Sequence, residues 1–538
     1  MNDNSKNSPD PVNRRRLLQL AAGSATLLWL PRSAWSQPRI SSNPFALGVA
    51  SGSPSPDGMV LWTRLVSGGF TGVSALSQGP VTVRWEVAHD EAFMRIAKSG
   101  VAQASPELAH SVHVEVQGLE PDRWYFYRFM VGGHGNDWVS PTGRTRTFPA
   151  EGAAVSRLRL AYASCQRWEH GYYAAYRHMR NESLDVVMFL GDYIYEYPGA
   201  SEPARRVPGG WVITLDDYRA RYALHKTDED LQAMHAACPW LVTWDDHEVQ
   251  NDYAGVAAGN AGPAVADFGA RRAAAYQAYY EHMPLRSTVL TRAIAGLQQG
   301  AELRIYGRVP FGRLATLHLL DDRQYRNAQA CTPEGRAGSG SVATERCAIW
   351  NDPARTLLGA EQETWLDRAF AESAGTTWNV VGQQSVFGRR DFRRGPEEFM
   401  WNDGWDGYTP ARNRFLASMQ KHSVANPVLL GGDVHENWVG HVKADYTRAE
   451  SAALGVEFCG TSITSRTSVS PRQAEWLAEN PHFVYANGEK RGYGVVEFTP
   501  RQITTTLRAV DDVTRRDSGL QTLAQFVVQA GRPQLERA

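Results

Sequence analysis

The run Asp185-Val186-Val187-Met188-Phe189-Leu190-Gly191-Asp192-Tyr193-Ile194-Tyr195 is apolar from Val186 to Leu190 and then stops at Gly-Asp. An apolar run of this length without alternation predicts a strand covered on both faces, as in the parallel sheet of an α/β fold. Two more runs end in the same way: Val242-Thr243-Trp244-Asp245-Asp246-His247-Glu248 and Leu429-Leu430-Gly431-Gly432-Asp433-Val434-His435. Ligands of α/β sheets bind in the crevice beyond the carboxyl ends of the strands. Three strand ends that each deliver Asp, with His or Tyr close by, therefore predict one crevice lined by carboxylates and imidazoles. Gly191, Gly431 and Gly432 let the backbone turn sharply there and approach a bound ion.

Outward from these strands, apolar runs alternate with helical segments, the pattern of βαβ architecture. The reading places strands over 158–163, 185–190, 240–244, 314–320, 378–383 and 427–430. Helices are expected over 172–181, 216–225, 228–237, 268–282 and 360–373, and strand-like runs such as 494–498 return near the C-terminus. Upstream, between Phe45 and Thr147, short alternating stretches at 60–64, 81–87, 113–116 and 124–129 are separated by turns and show no helical period. This predicts an N-terminal immunoglobulin-like β-domain over 43–148, an accessory to a catalytic α/β domain over 155–525. The catalytic part is expected to be a sandwich of mixed β-sheets flanked by helices.

Of the 538 residues, 43% are hydrophobic and 21% charged, globular proportions that exclude a mainly disordered chain. Lys and Arg total 56 against 57 Asp and Glu, and a net charge of −1 argues against nucleic-acid binding by bulk electrostatics. Five cysteines are too few for a disulfide-built fold; Cys331 and Cys347, on either side of a Gly/Ser-rich loop, are the expected pair. At the N-terminus, Arg14-Arg15-Arg16-Leu17-Leu18 leads an apolar stretch to Leu30, too short for a membrane span. Ala34-Trp35-Ser36 supplies small residues for a signal peptidase. Residues 1–36 resemble a twin-arginine (Tat) signal, the address of proteins exported already folded through the Tat translocase. A periplasmic or extracellular protein with no stable membrane span is expected, able to carry a metal chosen before export.

Two metal ions in a carboxylate crevice can bind a water and a phosphoryl oxygen and stabilise both attacking and leaving oxygens. One Asp after a strand is a common turn or cap residue; three together point to a site. Asp245 and Asp246 point opposite ways, so one ligand is expected from that pair. Asp433 and His435, two residues apart, share a face if extended. Asn251-Asp252 can complete an oxygen-rich shell for a hard cation. His247 is either a ligand or the acid that protonates the leaving group, with Asp246 and Glu248 beside it favouring the imidazolium. Cys165 reads as a buried small residue, half of a disulfide, or a thiolate ligand of iron or zinc. In the basic run 387–394, Arg389 is a candidate grip on phosphate oxygens, and Trp405 a candidate wall of the cleft. No G-x-S-x-G stands near a fitting strand–turn–helix, which excludes a serine hydrolase.

Taken in order, these residues resemble the alkaline phosphatase D (PhoD) family of binuclear metallophosphoesterases. The resemblance runs from Asn43-Pro44-Phe45 and Leu61-Trp62-Thr63-Arg64 through Ser164-Cys165-Gln166 and Gly191-Asp192-Tyr193-Ile194-Tyr195-Glu196. It continues through Trp244-Asp245-Asp246-His247-Glu248, Asn251-Asp252-Tyr253, Gly382-Gln383-Gln384, Trp405-Asp406-Gly407-Tyr408 and Gly432-Asp433-Val434-His435 to Thr461-Ser462-Ile463-Thr464-Ser465. It implies a metallophosphoesterase-like fold and a phosphomonoesterase or phosphodiesterase that uses iron (Fe3+) with calcium; spacing alone leaves zinc as an alternative. By position it implies that Cys165, Asp192 and Tyr195 hold the iron. Asp192 would bridge to calcium, with Asp433, His435 and a residue of the stretch 246–251, Asp246 or Asn251, completing the pair. Which metal Asp433 and His435 each serve is left open. The expected reaction is hydrolysis of a small phosphate ester by a metal-activated hydroxide, with His247 as the acid and Asp246 beside it. A nuclease or phospholipid diesterase, and a secreted binding protein with structural metals, are the alternatives. One departure is Ser53, where the family usually has Asp in the opening turn.

Overall fold

The computed structural model describes residues 40, 42–66, 76, 79–132, 137–290, 302–332, 337–467 and 470–538; the export signal read over 1–36 lies outside them. Val186–Leu190 is buried along its whole length and pairs in parallel with Leu158–Ala163 on one side and Trp240–Thr243 on the other. Beyond Leu158–Ala163 the sheet continues antiparallel through Arg491–Phe498, Gln502–Val510, Leu520–Gln529 and Glu536–Arg537. A second sheet carries the third motif. Its centre is parallel: Ala315–Leu319, Trp378–Gly382, Pro427–Gly431 and Ala453–Cys459. Antiparallel strands close its edges, Gly307–Phe311 on one side and Asn437–Lys443 then Phe483–Asn487 on the other.

The sheets pack face to face. Leu160, Met188 and Leu241 from the first and Leu317, Val380, Leu430 and Phe458 from the second share one apolar cluster. At Gly382 the sheets are so close that a Cβ would stand 2.2 Å from Met188 Sδ. Helices cover the outer faces, among them Leu215–His225, Glu229–Ala237 and Phe268–His282 on the first sheet, and Gly359–Glu372 and Thr409–Lys421 on the second. Thr214 (with Asp217 in a capping box), Asp228 and Asp267 satisfy the free N–H groups at three of these helix starts. The expected α/β sandwich is therefore built as helix, sheet, sheet, helix. The strand ends of the two sheets meet: a Cβ on Gly432 would stand 2.3 Å from Ser164 Oγ.

The N-terminal β-layer shares a sheet with this core. Val49–Ser55 pairs in parallel with Trp240–Thr243, and Gly58–Arg64 and Ser111–Val116 extend the same sheet outward. The free edge of Trp240–Thr243 is thus covered rather than exposed. Val81–Ala88, Ile96–Ala104, Trp124–Val131, Trp138–Val139 and Gly143–Arg146 form a five-stranded sheet that packs on it through Val83, Tyr125 and Phe129 against Leu61 and Val114. Ser53 stands at φ 47°, a left-handed turn position that Asp tolerates better than Ser. Cys331 and Cys347 form the expected disulfide, and Cys165, Cys238 and Cys459 are free and buried. No helix among the described residues is long and apolar enough to cross a membrane.

Candidate metal centre

The strand ends deliver their donors through strained turns. Cys165, Asp192, Asp433 and His435 stand in the left-handed region at φ 59°, 59°, 65° and 58°. For residues with a Cβ this costs about 1–3 kcal/mol each, and such strain is kept where a ligand or a reaction needs the geometry. Buried Glu248 pins two of the strand ends together. Its carboxylate accepts the N–H groups of Asp192 at 3.0 Å, Tyr193 at 2.6 Å and Asp245 at 2.9 Å. Even against these donors, burial pushes its pKa up to about 7. Glu248 is therefore a brace for the turns, not the companion of His247 that its position in the sequence suggested. Gly191, at φ 104°, leaves no room for a side chain: a Cβ would meet Asp245 N at 2.6 Å.

Two donor groups share one carboxylate. The ligand atoms of Cys165, Asp192 and His435 lie within 4.8 Å of one another, and so do those of Asp192, Asp246 and His247. Tyr195 joins the first group: its hydroxyl donates to Asp192 Oδ2 at 2.8 Å, lies 3.2 Å from His435 Nε2 and accepts from Ser465 Oγ at 2.7 Å. Asp192 Oδ1 and Asp246 Oδ1 are buried without a hydrogen-bond partner among the described residues. A lone buried carboxylate oxygen is costly, and a metal ion satisfies it. Burial, then the charge of Asp192, pushes both the Cys165 thiol and the Tyr195 phenol well above their usual pKa. Either anion therefore needs a cation beside it. Thiolate, phenolate and imidazole suit a transition metal, and the carboxylate side suits a harder cation. The donor set fits the kind of metal pair that the family resemblance implies.

His247 is held by Glu196, a residue 51 positions earlier in the chain that no local pattern ties to it. His247 Nδ1 donates to Glu196 Oε2 at 2.7 Å, and Glu196 Oε1 accepts the N–H of Asn251 at 2.7 Å. Burial opposes the imidazolium, but Asp192, Asp246 and Glu196 together raise the His247 pKa well above its ordinary value. Burial would likewise raise Asp246, yet Arg323 and His247 hold it below the carboxylate range. Asp245 turns away from Asp246 onto Arg323, and burial pushes its pKa up to about 6 against that guanidinium. Arg323 also reaches Asp403 at 2.8 Å and Asp246 at 3.8 Å.

Three placements differ from expectation. Asp433 and His435 do not share an extended face, because both adopt left-handed turns. His435 reaches Tyr195, whereas Asp433 Oδ2 accepts from Ser385 Oγ at 3.0 Å and lies outside the two donor groups. Trp405 is fully buried; its Nε1 donates to Gln383 Oε1 at 3.0 Å and its ring packs 4.9 Å from that of Phe387. It is part of the core and cannot wall an open cleft. Arg389 pairs with Glu398 at 2.6 Å and Asp391 at 3.3 Å, so carboxylates already occupy the guanidinium expected to grip phosphate. Asn251 lies beside the site, its N–H on Glu196.

The family model of the PhoD-like phosphatases matches residues 160–507, and that of the PhoD-like phosphatase N-terminal domain matches residues 32–149. Alkaline phosphatase D of Bacillus subtilis (strain 168) is 43% identical over 509 residues, which cover 93% of this chain and 83% of that protein. A solved structure of PhoD superposes with a TM-score of 0.85 at 42% identity, covering 93% of each chain. With both family models and a full-length relative in agreement, the chain belongs to the PhoD-like phosphatase family.

Proposed function

We infer that this phosphoric ester hydrolase cleaves small phosphate mono- or diesters in the crevice around Asp192. The observation that carries the reading is the sharing of Asp192 between the Cys165–His435 group and the Asp246–His247 group, because a two-metal centre needs a bridging ligand. Cys165, Asp192 and Tyr195 would hold iron as Fe3+, with zinc the alternative. Asp192, Asp246 and Asn251 would hold calcium; His435 stands on the iron side beside Tyr195, and Asp433, held by Ser385, is the further carboxylate near Cys165. Ions bound there supply Lewis acidity and a water that is nucleophilic at neutral pH.

The chain's own contribution is positioning and proton transfer. Asp192 and Asp246 fix where the phosphoryl group sits. With Nδ1 committed to Glu196, His247 has Nε2 left to hand a proton to the departing ester oxygen. Once Asp192 and Asp246 act as ligands, Glu196 is the carboxylate that keeps that proton on the ring. The Tat-like segment over 1–36 supports export of the folded enzyme, and a mature N-terminus near Gln37 would bear this out.

The purified chain is expected to hydrolyse bis-p-nitrophenyl phosphate or p-nitrophenyl phosphate, and the ratio of rates separates diesterase from monoesterase. Failure on both by folded, metal-loaded protein would contradict the reading. His247→Ala is expected to lower kcat by about 10²–10⁴-fold while elemental analysis finds the wild-type metal content. Loss of metal in that variant would make His247 a ligand instead.

A further inference from the structure

Three arginines on the rim of the donor groups are not used in the reaction above, and each is linked to a candidate ligand. The guanidinium of Arg167 lies over the rings of Tyr195 and Tyr197, 5.6 and 4.6 Å from their centroids. Arg466 follows Ser465, whose hydroxyl bonds Tyr195; its backbone N–H donates to His170 Nδ1 at 2.8 Å and its exposed guanidinium reaches the carbonyl of Glu202 at 3.2 Å. Arg491 is only 5% exposed. Its Nη1 donates to the carbonyls of Gly488 and Lys490, both at 2.9 Å, and reaches Thr461 Oγ1 at 3.4 Å. That hydroxyl stands 3.2 Å from the carbonyl of His435.

Two carboxylates, Glu169 and Glu436, face the three cations of this rim. Glu169 reaches Arg167 at 3.1 Å but also accepts the N–H of Gly199 at 3.0 Å. The hydrogen bonds of Arg491 go to neutral acceptors, and buried Glu436 is the carboxylate that faces it. The Nε–H groups of Arg167 and Arg491 are buried without a partner among the described residues. All three are tied to the loop 461–466: the backbone N–H of Arg167 donates to Ser465 Oγ at 3.2 Å, that of Gly492, next to Arg491, to the Ser462 carbonyl at 2.8 Å, and Arg466 ends the loop. In keeping with this, burial first and then the three cations push the pKa of His170 down to about 3. Unsatisfied guanidinium N–H groups are costly when buried, and phosphate oxygens match their fork geometry.

We propose that Arg167, Arg466 and Arg491 form a second phosphate-binding subsite beside the reaction centre, filled by a second phosphate on the ester or by free inorganic phosphate. The proposal rests on the phosphoesterase reading. Thymidine 5′-(p-nitrophenyl phosphate) and its 3′-phosphorylated form share a leaving group and differ only in the second phosphate. Arg466 is exposed, so Arg466→Gln is expected to fold. The wild type should show the lower KM for the two-phosphate ester, and Arg466→Gln should shrink that preference by about 10-fold, with Arg466→Lys recovering part of it.

If the preference is the same in wild type and variant but inhibition of p-nitrophenyl ester hydrolysis by inorganic phosphate weakens about 10-fold in Arg466→Gln, the subsite holds free phosphate. If neither quantity changes, the proposal is overturned. If the metal-loaded wild type hydrolyses no p-nitrophenyl ester at all, the phosphoesterase reading fails, and the subsite with it.

Discussion

Asp192→Asn is expected to remove bound metal and activity together. Asp192 is the one residue common to both donor groups, so its charge counts twice. The amide keeps the shape of the carboxylate and an oxygen for the Tyr195 hydroxyl, which now donates at 2.8 Å. Burial first, against the opposing charge of His247, and then the charges of Asp246, Asp245 and Glu248 make an ionised Asp192 unfavourable in the chain by itself. Folding in the presence of a chelator should therefore survive the substitution or gain slightly. Losing a bridging ligand removes several kcal/mol of transition-state stabilisation, or at least about 10³-fold in kcat/KM. Elemental analysis should find the variant short of at least one metal per chain. A variant that kept both its metals and its turnover would show that Asp192 is no bridge.

Arg323→Met is expected to cause the largest loss of stability. Arg323 is 1% exposed and is surrounded by Asp245, Asp403 and Asp246, so its removal leaves buried carboxylates facing one another. Arg326 pairs directly with Asp403 at 2.9 Å and helps to offset Asp246, but leaves Asp245 without a cation. Breaking a buried ion pair by removing one partner costs about 3–5 kcal/mol, measurable by urea unfolding. The loss should shrink as the pH falls. Burial already lifts Asp245 to about 6 with Arg323 present; without the guanidinium its pKa rises further, and protonation then relieves the repulsion. A loss below about 1 kcal/mol, the size seen for exposed pairs, would mean that the network is solvated.

Much of this was legible in the chain because its central strands are buried on both faces. Val186–Leu190 and Pro427–Gly431 read as unbroken apolar runs, and the polar residues that end them stood out by contrast. Cys165, Asp192, Tyr195, Asp246, His247 and His435 follow the ends of four such strands and meet in space.

What escaped the sequence depends on direction rather than composition. Glu248 adjoins His247, yet the turn aims it at the backbone of Asp192, while Glu196, far away in the chain, takes the imidazole. The two-residue spacing of Asp433 and His435 implied a shared face only for extended backbone, and both residues are left-handed. Trp405 was placed by proximity in sequence, which carries no information on burial. The helix Thr409–Lys421 went unread because polar residues obscure its stripe, although Ala411, Phe415, Leu416 and Met419 carry a helical spacing. The continuity of the N-terminal strands with the core rests on the pairing of Gly52 with Trp240, a long-range register that no local pattern announces.

The most direct test of the central claim is to count metals in the purified wild-type chain while they are stripped by a chelator and restored. The account predicts about two metal ions per chain, hydrolysis of p-nitrophenyl esters lost as they are removed, and recovery when iron and calcium are both returned. Undiminished hydrolysis by metal-free, folded protein would contradict it.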